Sequence, residues 1–304
     1  MDGIIVVNKS GGITSHDIVQ IIRKILPGVK AGHTGTLDPM ATGVLPVCIG
    51  RATRLSEYII ELPKNYRAEI VLGKISNTED ATGHIVDLAD VPFLDGEEIL
   101  EILRGFTGDI EQLPPLYSAV KHHGKPLYYW TRQGESVPRR VRTVRVYSIE
   151  LLEYNPEREP QLLLDVRCSK GTYIRTLAAD IGKVIGCGAY LSKLTRTAVG
   201  PFLLEESLTP EEIKVLLGLG RYGQVIRKMD SALMHFPQLS LDQSQVEALR
   251  HGKILIIEEQ ELLEKIKDPL PIRIYDQSGL FKALARRVSV NDRLGLKTAK
   301  YLAD

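Results

Sequence analysis

The spacing of apolar positions divides the chain into elements before any residue is considered for chemistry. Ile4 to Asn8 is an apolar run the length of a buried strand. Ile18, Ile21, Ile22, Ile25 and Leu26 then follow the i, i+3, i+4, i+7, i+8 stripe of an amphipathic helix, with Ser15 placed to cap it. Leu55, Tyr58, Ile59 and Leu62 give Ala52 to Leu62 a helical face, and Pro63 ends it. The period then drops to two. Tyr66, Ala68, Ile70 and Leu72 share one face of a strand over Lys64 to Gly73. Leu162, Leu164, Val166 and Cys168 do the same over Gln161 to Cys168, which is expected to pair antiparallel with a long strand over Val141 to Leu152. Asp95 with Glu98 predicts a capped helix through Leu103, and Thr209, Pro210 and Glu212 predict another. From about His235 the pattern shifts to short strands and turns: Ile254 to Ile257, Ile272 to Tyr275, and Leu280 to Ala285, with Ser278-Gly279 as a hairpin turn.

Composition places this pattern in an ordinary globular protein: 304 residues, 43% hydrophobic and 25% charged, enough for one large core and a small second domain. No apolar run approaches membrane-spanning length, and the start MDGIIVVNKS, with an acidic residue before the short run Ile4 to Val7, lacks the basic start and long apolar stretch of a signal peptide. Cys48, Cys168 and Cys187 are odd in number and show no C-x-x-C spacing, which argues against a disulfide framework and a cysteine zinc site and suits a reducing cytoplasm. His122 and His123 are adjacent with no third ligand at metal spacing, so no metal is expected. The glycines of Gly182 to Gly188 follow a helix instead of leaving a strand, which argues against a nucleotide fold there.

Charge changes the picture more than composition does. The formal total is only +1, yet Ser76 to Gln112 holds ten acidic residues and one basic (net −9), Lys121 to Arg145 seven basic and one acidic (net +6), and Lys265 to Asp304 nine basic and four acidic (net +5). Such basic blocks either attract a phosphate backbone or are solvated surface, and charge alone does not choose.

The candidate chemistry centres on Gly32-His33-Thr34-Gly35-Thr36-Leu37-Asp38-Pro39-Met40-Ala41-Thr42-Gly43-Val44-Leu45-Pro46. Three glycines and two prolines predict an ordered turn in place of a helix or strand. Asp38 stands before a proline, which biases it to extended geometry and fixes the direction of its carboxylate. On residue types alone it either closes the turn on its own backbone or presents a nucleophile. Near Gly171, Arg175 falls in the first turn of a predicted helix, where the dipole disfavours a cation; a partner carboxylate is expected. Tyr66 and Leu194 read as core residues, His33 as a turn histidine, and Asp80 as a turn residue that is either exposed or orients a neighbouring arginine.

The stretch GHTGTLDPMATGVLP resembles the signature of the TruB family of tRNA pseudouridine synthases. Other segments from residue 9 to about residue 200 are similar to that family too: NKSGGITSHD, with Ser10 replacing a proline; TEDATG, with Asn77 where a carboxylate is common; PPLYSAVKHHG; SKGTYIRT; and LSKLTRTAVG. Thr131 also departs from the family's small apolar residue. The resemblance implies an α+β pseudouridine synthase fold with a mixed, mainly antiparallel central sheet flanked by helices, and a small C-terminal β-rich PUA-like domain. The expected division is 1–234 for catalysis, including a basic tRNA-clamping insertion at about 117–145, and 235–304 for RNA binding. It implies Asp38 as nucleophile, Arg175 as its ion-pair partner and Tyr66 packed on the target base. Tyr173 and Leu194 would line the base pocket, Asp80 would orient groups near the cleft, Lys121 would aim at phosphate, and His33 would fill the gap left by an everted base. The implied substrate is tRNA, through its T-loop and stem, at uridine 55. No cofactor, membrane or protein partner is expected, and the chain is expected to act as a cytoplasmic monomer. A tRNA-folding protein with secondary catalysis, and a guide-RNA-dependent synthase, are the alternative functions.

Overall fold

The computed structural model describes the chain except residues 119, 136, 158, 259–262, 265, 267, 268, 292 and 304. Ala119 of the PPLYSAVKHHG segment, and Lys265, Lys267, Asp268, Asp292 and Asp304 of the C-terminal basic block, therefore lie outside the described residues. The first elements are β1 (Gly3–Lys9), α1 (Ser15–Ile25), β2 (Ala31–His33) and β3 (Thr42–Ile49), then a tight 3-10 turn over Gly50–Leu55 running into α2 (Ser56–Ile60). Next come β4 (Lys64–Leu72), β5 (Lys74–Ser76), β6 (Ile85–Asp87), α3 (Gly96–Arg104) and β7 (Gly108–Gln112). The small β8 (Lys121–His122), β9 (Lys125–Pro126) and α4 (Leu127–Arg132) precede β10 (Arg142–Asn155), β11 (Gln161–Cys168), α5 (Ile174–Ile185), β12 (Ala189–Val199) and β13 (Phe202–Leu203). The chain ends through α6 (Pro210–Gly218), α7 (Tyr222–Val225), β14 (Ile226–Arg227), β15 (Gln238–Leu241), α8 (Gln243–Arg250), β16 (Leu255–Ile256), β17 (Ile272–Asp276), β18 (Phe281–Val290) and β19 (Arg293–Tyr301).

One sheet carries the chemistry. Its order is β14-β1-β3-β12-β4-β11-β10-β7, with β2 added to β3 and β13 to β12. All its pairs are antiparallel except β3 with β12, which makes the sheet mixed and mainly antiparallel as the resemblance implies. The period-two residues Tyr66, Ala68, Ile70, Leu72, Leu162, Leu164, Val166 and Cys168 all point into one core, against Ile18 and Ile22 of α1, Ile99 and Leu103 of α3, and Leu177 and Ile181 of α5. Ile4, Val6, Val44 and Cys48 belong to a second core, which Tyr58 and Ile59 of α2 share with Phe281, Leu284 and Leu302 of the C-terminal sheet. That sheet, ordered β15-β17-β18-β19-β16, thus docks on the large one through apolar packing. Lys300 pairs with Glu57 at 2.7 Å across the junction, and Arg54 donates to the carbonyl of Tyr301 at 2.9 Å.

Several local expectations change. Thr14, not Ser15, caps α1, in a reciprocal box with Asp17, and Ser15 turns inward. The stretch Ala52 to Leu62 is helical only from Ser56, and the turn before it is of the tighter kind. The C-terminal region also holds β15, β19 and the Asp242-capped α8, none of which its apolar spacing announced. The glycine-rich stretch is irregular only between β2 and β3, since Gly32 and His33 lie in β2 and Thr42 to Pro46 in β3. Pro46 is tolerated there because its neighbour on one side changes from β12 to β2, and its carbonyl accepts from the amide of Thr34 at 3.1 Å.

Gly43 shows why this junction constrains sequence. Its φ is +101°, and a Cβ there would sit 2.3 Å from the carbonyl oxygen of Arg196 on β12. Gly43→Ala is expected to lower stability by about 2 to 5 kcal/mol, from positive-φ strain plus a backbone clash. Urea unfolding checks this; an unchanged midpoint would contradict the geometry.

Candidate active site

The loop between β2 and β3 is held from below by buried polar groups. Ser15 Oγ donates to the carbonyl of Leu37 at 3.1 Å and accepts from the amide of Leu37 at 2.8 Å, so the residue before Asp38 is pinned on both sides. Lys9, fully buried, donates to the carbonyls of Ser10 (2.9 Å), Ile13 (2.8 Å) and Pro39 (3.1 Å). An ammonium has three N–H groups, and all three are used. The amide of Gly12 adds a further bond to Pro39 at 2.8 Å. Asp38 thus stands on a turn clamped from both flanks, and its side chain remains 33% exposed, open to a ligand.

The carboxylate of Asp38 does not close the turn on its own backbone. Its Oδ2 accepts from Arg175 Nε at 2.8 Å. Arg175 is the second residue of α5, and Tyr173, the residue before that helix, makes no side-chain cap. The expected carboxylate partner is therefore present, and there are two: Asp80 Oδ2 lies 3.5 Å from the same nitrogen. The rest of the guanidinium donates to the carbonyl of Thr78 through Nη1 (3.2 Å) and of Tyr117 through Nη2 (3.0 Å). At 4% side-chain exposure, this one planar fork joins the Asp38 loop, the turn after β5 and the start of the 117–145 segment. Asp80 is buried, not an exposed turn residue. It accepts from Thr78 Oγ1 at 2.7 Å, and from the amide and hydroxyl of Thr82 at 2.9 and 2.5 Å. Its neighbour Glu79 takes a φ of +64° and accepts from Thr176 Oγ1 at 2.8 Å; burial pushes its carboxyl above the usual range.

Tyr66 and Leu194 sit beside this pair on adjacent strands, 9% and 6% exposed, within one apolar cluster that also holds Leu37. Burial raises the Tyr66 hydroxyl above its ordinary value, while the positive charge of nearby Arg196 pulls the other way. Tyr173 is placed by Gln112, whose amide accepts from the Tyr173 N–H (2.9 Å) and donates to its carbonyl (3.2 Å); burial raises the Tyr173 hydroxyl above the ordinary value. His33, on β2, keeps a buried Nδ1 with no partner, and burial holds its ring below the usual histidine value. Lys121 is the one candidate standing apart. It is exposed on β8, beside a cluster in which Lys125 sits 4.0 Å over the Tyr129 ring and Trp130 Nε1 donates to the carbonyl of His122 at 3.2 Å. Among the described residues no group of three or more His, Cys, Asp or Glu side chains could hold a metal ion. Also among them, no helix is long and apolar enough to cross a membrane.

A partly exposed carboxylate bonded to a buried guanidinium, flanked by an aromatic floor, is a site for attack on an electrophilic carbon of a flat ring or its sugar. Residues 23–174 match the family model of the TruB family pseudouridylate synthase N-terminal domain, and residues 175–234 that of the tRNA pseudouridylate synthase B C-terminal domain. The chain is 43% identical to tRNA pseudouridine synthase B of Chromohalobacter salexigens over 83% of this chain and 81% of that protein. It is 38% identical to the Haemophilus influenzae protein of the same name over 94% of this chain and 90% of that one. Two solved structures share its fold at a TM-score of 0.75, each covering 99% of this chain and 85% of the other: an H/ACA RNP bound to a substrate RNA containing 2′-deoxyuridine (26% identity) and a Cbf5-Nop10-Gar1 complex (28%). The fold is that of a pseudouridine synthase. The chain belongs to the TruB family.

Sequence reasoning passed over Lys9, Ser15, Gln112, Glu79 and Arg196 as working residues. Lys9, Ser15, Glu79 and Arg196 fall within the segments NKSGGITSHD, TEDATG and LSKLTRTAVG, which carried a signal, whereas Gln112 lies outside the segments quoted above. Lys9 has a measurable consequence. Burial lowers its ammonium to about 8, whereas an unfolded lysine holds its proton to about 10.4. Between these values the unfolded chain binds more protons, so stability rises with pH. From pH 7.5 to 9.5 the wild type is expected to gain about 2 kcal/mol relative to Lys9→Met, measured by chemical denaturation; parallel pH profiles would contradict the assignment.

Proposed function

We propose that this protein converts uridine 55 in the T-loop of tRNA to pseudouridine, with Asp38 as the nucleophile. The observation that carries the reading is the Asp38–Arg175 pair, a partly open carboxylate held at 2.8 Å by a buried guanidinium. Pseudouridine formation breaks the bond between uracil N1 and ribose C1′, rotates the base and rejoins it through C5. It is an isomerisation within one nucleotide, so it consumes no redox equivalent and adds no atom. Asp38 attacks ribose C1′ or uracil C6, or assists departure of the base as a glycal forms. Each route draws on the carboxylate as an electron-pair donor, and the bond from Arg175 holds it in a fixed direction.

The remaining candidates take supporting roles. Tyr66 stacks on the uracil and assists loss of the C5 proton, Tyr173 and Leu194 shape the pocket, and Asp80 orients Arg175. Eversion of a stacked base costs a few kcal/mol. His33, neutral because burial lowers its ring, fills the space the base leaves. Lys121 and the basic segment 117–145 clamp the T-loop through phosphate contacts, with the aromatic cluster near bases. Residues 1–234 form the catalytic domain, and 235–304 a PUA-like domain that binds the stem. The protein works as a cytoplasmic monomer and without a protein partner, although its structural neighbours come from ribonucleoprotein assemblies.

The test is tritium release from tRNA labelled at uracil C5. The purified chain alone is expected to release it from an unmodified transcript, while Asp38→Asn loses at least about 10³-fold in rate with RNA affinity retained. Arg175→Lys, which keeps the charge and loses the fork, is expected to fall by about 10²-fold. Full activity of Asp38→Asn would reject the nucleophile. Activity only with added guide RNA and proteins would favour the guide-dependent reading. A catalytically dead variant that restores every defect of cells lacking the protein would favour the tRNA-folding one.

A further inference from the structure

Arg196 is among the largest fully buried side chains of the protein, at 1% exposure, and among the described residues it is paired with no carboxylate. Its Nε donates to the carbonyl of Val44 at 2.7 Å and its Nη2 to that of Gly35 at 3.2 Å, so one guanidinium spans both ends of the loop that carries Asp38. Tyr66 is its cross-strand neighbour, near enough for the guanidinium charge to act on the Tyr66 hydroxyl. The register explains how one residue reaches all three. On β12, Arg196 is the partner of Gly43 on β3 to one side and of Tyr66 on β4 to the other.

Its surroundings add to the puzzle. Lys9 and Lys64 are also buried and are held by backbone carbonyls alone, Lys64 by those of Ile60 and Leu62. Three buried cations therefore gather around the Asp38 loop and the start of β4 with no hydrogen bond to a carboxylate, and Asp38 is near enough to act on the charge of Lys9. A buried charge without an ionised partner is costly, and for a purely structural tie a neutral donor such as an amide would serve at less cost. The excess positive charge points toward a negative charge that appears only during turnover.

The proposed reaction supplies one. When the bond from C1′ to N1 breaks, both electrons stay on the base, and the charge spreads over N1, O2 and O4; addition at C6 likewise sends an electron pair toward O4. In every route the uracil ring passes through an anionic state beside Tyr66. We infer that Arg196 is a positioning residue for that state: it ties the two ends of the Asp38 loop together next to Tyr66 and supplies positive charge that stabilises the uracil anion. This inference rests on the isomerase reading above.

The experiment compares single-turnover rates, enzyme in excess, on a T-loop stem-loop carrying uridine or 5-fluorouridine, followed as loss of the starting nucleoside after digestion. Fluorine at C5 withdraws electrons and stabilises the ring anion by itself, so the enzyme's own contribution matters less. Arg196→Met is expected to slow the uridine substrate by about 10²-fold and the fluorinated one by less than about 10-fold, with RNA affinity unchanged. Arg196→Lys should show the same inequality with smaller losses, and it decides the matter if the methionine variant does not fold. Equal slowing of both substrates, or a loss confined to RNA affinity, would mean that Arg196 only holds the structure together and would overturn the inference. Inactivity of the wild type on uridine would instead remove the isomerase reading on which it rests.

Discussion

The buried guanidinium of Arg175 is the interaction on which the site depends. It lies at the start of α5, where the helix dipole opposes it, and is almost wholly withdrawn from water. Both penalties are offset by Asp38, Asp80 and the carbonyls of Thr78 and Tyr117. These groups come from three separate stretches of chain. The folded state that satisfies Arg175 is therefore the one in which the Asp38 loop, the turn after β5 and the start of the 117–145 segment converge. A lysine could not replace it, since a point charge has no planar fork to hold several acceptors in fixed directions.

A second layer supports the first. Lys9, Ser15 and Gly12 bind the loop from the β1–α1 side, and Arg196 binds its two ends from β12. Nearly all these contacts are made to backbone carbonyls or amides, not to side chains. They fix where the Asp38 carboxylate points without consuming it, which leaves it a third exposed for reaction. The same economy appears at Tyr173, where Gln112 satisfies both the amide and the carbonyl of the residue before α5.

Much of the fold was legible in the chain, because burial on one face imposes a period. The alternation of β4 and β11, the stripe of α1, and the capping boxes of α3 and α6 all stand where their residues indicate. The glycine-rich stretch was misread at its ends, since Pro46 is acceptable inside a strand whose neighbour changes at that point, and no local rule reveals a change of neighbour. β15, α8 and β19 were missed because short elements with mixed polarity carry little periodicity. At the site, the need of Arg175 for an acid followed from the helix dipole, and Asp38 from its turn and its motif. The buried status of Asp80 and the role of Arg196 did not follow, because both depend on partners far away in sequence: Arg196 reaches Gly35, Val44 and Tyr66 only through the order β3-β12-β4.

The central claim is that one carboxylate, aimed by one arginine, meets the reacting carbon of an extruded uridine. A crystal structure of the protein bound to a T-loop stem-loop tests it most directly. The account predicts the target base out of its stack against Tyr66, with an Asp38 oxygen within about 3.5 Å of ribose C1′ or uracil C6 and the bond to Arg175 intact. A uridine still stacked in its loop, or an everted one whose sugar and base both lie far from Asp38, would contradict it.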